Sequence, residues 1–330
     1  MTQPRRTMPP PLHVPKPGFG RRTPPAIFAP IMGVFGLGLA WRAGAGLFGM
    51  SPAIGEVILG AVSLLFVFAL LAYAAKPLRR ASALVEDMRV LPGRAGLAAA
   101  SLSLMLMAAS LAPLVPRVAT VLAVCAFVVH LGLVALLVHV LRTSPPEGRV
   151  VTPVFHLSFV GFIIGGVAAN ALGHHEIARA LVWVMLVPAA IIWGISLRQI
   201  VTRVPPAPLR PLLAIHLAPA CLFTIVAHGA GQHAVAQGFA VLAIMIFAAL
   251  LASLRLLTVA GFSPLWGAFT FPLAAFATVL ILVSGGAGVL GLGAGVILAL
   301  ATGVVPVIAY RVLKMWSGGS LAAKTNAAEA

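Results

Sequence analysis

Pro264-Leu265-Trp266-Gly267-Ala268-Phe269-Thr270-Phe271-Pro272-Leu273-Ala274-Ala275-Phe276-Ala277 belongs to an apolar run from about Phe262 to Val283. A run of that length matches the ~20 apolar residues that a helix needs to cross a bilayer. Inside it, Pro272 removes one backbone hydrogen bond and predicts a bend, and Phe271 stands at that bend. Two readings of Phe271 follow. It is one more aromatic facing lipid or a neighbouring helix, or it plugs a narrow pore lined by a bent helix.

The rest of the chain has the same character. Of its 330 residues, 61% are hydrophobic and 8% are charged, against about a quarter charged in a soluble domain. So much apolar surface exceeds what one core can hide, which predicts an all-α integral membrane protein. A net charge of +16 would suggest nucleic acid in a soluble chain. Here the basic residues lie between apolar runs, as the positive-inside rule expects, and no nucleic-acid partner is predicted. Cys125 and Cys221 each sit within an apolar run, without metal-type spacing or a disulfide framework.

Ten apolar segments follow a basic, Pro-rich start: 27–47, 54–75, 95–114, 118–141, 153–172, 179–198, 209–228, 234–257, 262–284 and 288–312. Backbone polar groups in lipid must be satisfied within the segment, so these are helices; barrel strands would alternate in short stretches. The expected organisation is a disordered basic tail over 1–25, a membrane domain over 26–315 and a short tail over 316–330. No short apolar leader precedes the first segment, so that helix is expected to direct insertion itself. Of the 22 Lys and Arg, only Arg42, Arg117 and Arg179 fall on one side of the membrane in this arrangement; the other 19 fall on the opposite side. That asymmetry predicts a multi-pass protein of the cell's inner (plasma) membrane with both termini cytoplasmic.

The odd-numbered segments differ from the even ones. Four of them carry a proline, Pro30, Pro153, Pro219 and Pro272, and much of the small and hydroxyl content is theirs, including Gly33, Gly36, Ser101, Ser103, Ser158 and Gly165. Among the even segments only Pro188 and Pro306 interrupt the interior. Small residues let helices approach closely, and broken backbone is tolerated beside protein or a water-filled cavity. The pattern suggests five helical hairpins, each with its odd helix facing a central axis.

At this point several stretches resemble the tellurite-resistance/dicarboxylate transporter family, which includes the plant slow-type guard-cell anion channels. They are Phe28-Ala29-Pro30-Ile31-Met32-Gly33, Leu71-Ala72-Tyr73-Ala74-Ala75-Lys76, Thr152-Pro153-Val154-Phe155, Val167-Ala168-Ala169-Asn170-Ala171-Leu172-Gly173-His174, Leu217-Ala218-Pro219-Ala220 and Leu265-Trp266-Gly267-Ala268-Phe269-Thr270-Phe271. Each motif is short; their order and spacing over about residues 24–315 carries the resemblance. It implies a pseudo-fivefold bundle around a central pore, a homotrimer with one pore per protomer, and a gating phenylalanine whose matching position is Phe271. It also implies anion conduction, dicarboxylate or malate transport, sulfite efflux or tellurite resistance. The chain departs from the family where Ser101-Leu102-Ser103 replaces a proline-bearing stretch, where Ser158 stands in place of a second proline, and where Pro272 replaces a glycine after the phenylalanine.

Several of the ionisable groups inside the segments are histidines. His130 and His139 are nine residues apart, half a turn out of phase, so they share no face for a haem or metal. His156 and His216 lie on odd segments, where either an ion- or proton-sensing role or a simple hydrogen bond to a carbonyl is available. His174-His175-Glu176 has metal-ligand chemistry on an outer loop but no further ligand nearby in sequence. Glu56, at a helix start, suits the helix dipole. No GxSxG, HExxH or phosphate-loop pattern occurs, so no catalytic residue, metal or cofactor is expected. The reading is a transporter of small inorganic or dicarboxylate anions through the lipid bilayer. Its pore would be lined or bent at Pro30, Ser101, Ser103, Pro153, Ser158, Pro219, Thr270 and Pro272 and occluded by Phe271. A proton-coupled carrier using His156 or His216 is the rival, and a membrane enzyme or haem protein is the rival from another class.

Overall fold

A computed structural model describes Gly18 and residues 20–330; most of the expected tail over 1–25 lies outside the described residues. Thirteen α-helices follow in order, with no strand among the described residues. They are α1 (Phe28–Leu47), α2 (Ala53–Arg79), α3 (Ser82–Arg89), α4 (Leu91–Leu111), α5 (Pro116–Thr143), α6 (Ile163–Ala171), α7 (His175–Thr202), α8 (Leu217–Gly229), α9 (His233–Ala252), α10 (Leu254–Thr258), α11 (Gly267–Ser284), α12 (Gly288–Ser317) and α13 (Ser320–Lys324). Among the described residues, nine helical stretches are long and apolar enough to span a membrane, and a shorter apolar one covers His156–Ala171. The fold is all-α and of membrane type.

Consecutive helices pair as α1–α2, α4–α5, α6–α7, α8–α9 and α11–α12. The first member of each pair also packs on its counterparts, in the closed cycle α1–α4–α6–α8–α11–α1. The four longer inner stretches are 67–83% buried, the outer ones 17–33%. The inner stretches are also less hydropathic than every outer one, since only the outer helices must match lipid along most of their circumference.

Three of the expected inner helices are not uniform. Segment 153–172 opens with a turn and a π-helical stretch, His156–Val160, before α6. Segment 209–228 opens with a 3-10 run, Ala207–His216, before α8. Pro208 and Pro211 have no N–H to donate to an α-helical ladder, which explains the second irregular start. The 3-10 turn Pro264–Trp266 leads directly into α11, which runs as one helix through Pro272 in its second turn. Pro272, the sixth residue of α11, removes only the one N–H that would have reached the Ala268 carbonyl, and the helix continues past that single loss.

At the basic end, Lys76 Nζ lies 2.6 Å from Asp87 Oδ2, with both side chains fully buried. The Tyr73 hydroxyl donates to the same oxygen at 2.9 Å. Lys76 also donates to the carbonyls of Thr23 at 3.1 Å and Ala328 at 3.0 Å, and the Ala328 N–H donates to Asp87 Oδ1 at 2.8 Å. Residues from near both chain ends thereby complete one buried ion pair between α2 and α3.

Candidate functional site

The five inner segments run in one direction, because each is the first helix of its pair. Two cavities lie along them. One takes its walls from the N-terminal halves, including Ala29, Pro92, Gly96, Leu212, Leu265 and Pro272, and measures about 50 Å³. The other takes its walls from the C-terminal halves, including Leu39, Arg42, Leu106, Asn170, Ile225 and Thr278, and measures about 290 Å³. Each of the five inner segments contributes to both. Phe271 is the one residue that lines both cavities. It also lines a third, of about 10 Å³, with Met32, Leu102, His156 and Pro219, at the lower limit of the ~10–15 Å³ that one water molecule needs. The ring therefore stands between two spaces that both hold water-sized volumes.

The sequence makes room for that ring on α1. A Cβ added at Gly36 would lie 3.0 Å from Phe271 Cδ2 and 3.2 Å from Ala274 Cβ. At Gly33 an added Cβ would run into Thr270 Oγ1 and Cβ. Both glycines are what lets α1 and α11 approach this closely. Phe271 itself is 6% exposed, held by packing on its own helix and on α1.

The axial walls are almost uncharged. Arg42 is the single Lys, Arg, Asp or Glu side chain on the three cavities. Its guanidinium makes a fork with Glu56, Nε to Oε1 at 2.7 Å and Nη2 to Oε2 at 2.8 Å, and Nη2 also donates to the Ser110 carbonyl at 3.0 Å. Such a bidentate pair fixes the guanidinium plane. Glu56 thus acts on Arg42 and through it on α4, rather than on its own helix end alone. Asn170, on the same cavity, donates from Nδ2 to the Val226 carbonyl at 2.9 Å and tethers α6 to α8.

Most of the expected hydroxyls face elsewhere. Ser101 Oγ bonds the Ala98 carbonyl at 2.9 Å and lies 2.8 Å from His130 Nδ1. Ser103 donates to Ala99 at 2.7 Å and Thr270 to Gly267 at 2.7 Å. The Ser158 carbonyl accepts from His130 Nε2 at 3.0 Å. Ser101, Ser103, Ser158 and Thr270 line none of the three axial cavities, because an unpaired hydroxyl in an apolar interior turns to the nearest carbonyl of its own helix. Pro30 packs near Gly267, Pro219 borders the third cavity with His156, and Pro153 lies on a separate lateral cavity with His216. His156 Nε2 and His216 Nδ1 are 3.0 Å apart. On the opposite end, Glu176 pairs with Arg179 at 3.0 Å and His175 Nδ1 meets Asn170 Oδ1 at 3.1 Å.

Arg42, Gly36 and Asn170 were not legible as site residues. Arg42 counted only as one of three basic residues on the sparse side, and Gly36 as one of several small residues in its helix.

A model of the SLAC1 family, described as voltage-dependent anion channel, matches residues 22–310. The chain belongs to the SLAC1 family. Membership of this channel family makes anion transport across a membrane the general activity. It also agrees with the resemblance carried by the short motifs in α1, α6, α8 and α11. A search of curated proteins finds no match.

Proposed function

We propose that the five inner segments enclose an anion conduit that Phe271 occludes. The observation that carries this is that Phe271 alone lines both axial cavities. In this reading ten membrane segments form five hairpins in a pseudo-fivefold bundle, with both termini cytoplasmic in the plasma membrane. Three protomers associate, each with its own conduit. The walls bear one cation, Arg42, already paired with Glu56, so no deep anion well exists. Conduction needs binding weak enough for ions to leave. Small inorganic anions suit such a path, and catalysis has no constellation to support it.

The test is anion flux in proteoliposomes for wild type and Phe271→Ala, across chloride, nitrate, sulfite and malate. Removing the ring is expected to raise flux about tenfold or more, equivalent to about 1.4 kcal/mol off the barrier. Unchanged flux in a correctly assembled variant would remove Phe271 from the gate.

The buried His156–His216 pair beside the constriction supports a second reading, a proton-coupled dicarboxylate carrier. That carrier would move malate faster under an imposed proton gradient and lose the dependence in His156→Gln. Flux indifferent to the gradient leaves the channel reading.

A further inference from the structure

Six buried side-chain polar atoms lack a hydrogen-bond partner among the described residues, and four of them gather in one place. They are Thr152 Oγ1, His156 Nδ1, Ser196 Oγ and His216 Nε2. Thr152, Ser196 and His216 all line a lateral cavity of about 390 Å³, off the axis, between the 150–153 linker, the end of α7 and the 3-10 run before α8. His156 stands directly behind His216. Ser196 is 4% exposed and His216 is 8% exposed. Buried polar groups are almost always satisfied, and a cluster left open points to a missing partner. A protein would lose about 1–3 kcal/mol for each such group left bare.

The charge of the walls narrows the partner. Arg203 is the single charged side chain on this cavity, no carboxylate lines it, and Arg203 has no ion pair among the described residues. Gln199 adds an amide. Hydroxyls, an imidazole, an amide and a guanidinium without a competing acid make up the donor set for an oxyanion. The volume falls in the range of small-molecule sites. The cavity lies at the basic end, near Arg198 and Arg210 in the chain.

We infer that this lateral cavity binds a small oxyanion at a site separate from the axial conduit. The inference stands whether or not Phe271 gates the pore.

Occupancy has a defined chemical consequence. An oxyanion only accepts, so His216 Nε2 must carry its proton. With the His216 ring neutral, its Nδ1 is then a lone pair and accepts from His156 Nε2–H across the 3.0 Å contact. His156 Nδ1 is left unprotonated. Both rings stay neutral and no proton is gained or lost; the ligand selects one of two tautomer pairs that make the same contact equally well. Because His156 borders the small cavity against Phe271, the selection reaches the wall of the conduit.

The full chain, purified in neutral detergent, is titrated with malate and, separately, sulfite while its melting temperature is followed. Wild type is expected to gain stability with each anion at saturating concentration. Arg203→Gln and Ser196→Ala are expected to raise the half-saturating concentration about tenfold, as loss of a charge-assisted hydrogen bond implies. Nitrogen-15 spectra of the histidines, assigned with His156→Gln and His216→Gln, should show His156 Nδ1 unprotonated and His216 Nε2 protonated once malate is bound. Two results overturn the inference. One is no stabilisation by either anion, which makes the cavity a water-filled one. The other is half-saturation unchanged in both variants, which places the anion elsewhere. Neither result depends on the Phe271→Ala flux, so this site and the gate fail separately.

Discussion

Four glycines on outer helices and four on the inner side meet opposite surroundings. Gly60 on α2, Gly132 on α5, Gly194 on α7 and Gly238 on α9 have nothing within 4 Å of an added Cβ. On the inner side, Gly33 meets Thr270, Gly165 meets Phe127, Gly166 meets Val226 and Gly96 meets the backbone of Pro25. The residue type is the same in both sets. Outside it is an unfilled position on a lipid-facing surface, and inside it sets the distance between two backbones. The same division separates long outer helices from the inner α1, α6, α8 and α11, which begin in 3-10 or π-helical turns, though α4 does not. Lipid can satisfy no backbone group, so irregular backbone survives only where protein covers it.

The largest effect is expected where an outer helix breaks this rule. Lys76 belongs to α2, yet it is buried against Asp87. Asp87→Ala leaves an uncompensated buried cation, and a loss of about 3–5 kcal/mol is expected, read as a fall in melting temperature of the detergent-purified protein. The double variant Lys76→Met/Asp87→Leu should recover most of that loss; if it does not, the ion pair contributes more than mutual neutralisation. Gly33→Ala should cost about 1–3 kcal/mol through overpacking against Thr270, seen as a lower melting temperature. Stability equal to wild type would show that α1 and α11 can separate freely.

Smaller effects sharpen the contrast. Arg42→Gln removes the one axial cation and leaves the Glu56 carboxylate unpaired, so anion flux should fall, by less than about tenfold because Glu56 is 42% exposed and water and salt screen its charge. A larger fall would make Arg42 a binding residue. At the bottom of the scale, Gly132→Ala on α5 should be neutral or stabilising by up to about 1 kcal/mol, since the new methyl meets no protein atom and gains helix propensity. A clear loss of stability would mean that a second protein surface covers that face.

How far the chain could be read follows from the range of each signal. Hydropathy showed the membrane class, and the placement of prolines and small residues showed the alternation of odd and even segments, since both signals are local to one helix. Phe271 stood out as an aromatic beside an intramembrane proline. Ser101, Ser103, Ser158 and Thr270 were read as lining a pore because they lie on the odd segments, which hold much of the hydroxyl content. A hydroxyl's nearest acceptor is a carbonyl three or four residues back, and in this protein Ser101, Ser103 and Thr270 bond such carbonyls. His130, excluded as a metal ligand by its spacing, is tied instead to Ser101 and the Ser158 carbonyl.

The sequence by itself determined a multi-pass helical membrane protein with an inner and an outer helix in each hairpin, because lipid imposes those demands segment by segment. Tertiary structure decided which side chains meet. It set Phe271 between two cavities with Gly36 against its ring, paired Arg42 with Glu56, closed the Lys76–Asp87 pair with the Ala328 backbone, and gathered Thr152, Ser196 and His216 around one space. Each of these contacts joins residues whose separation along the chain carries no periodic signal, and only helix packing brings them within hydrogen-bonding or van der Waals distance.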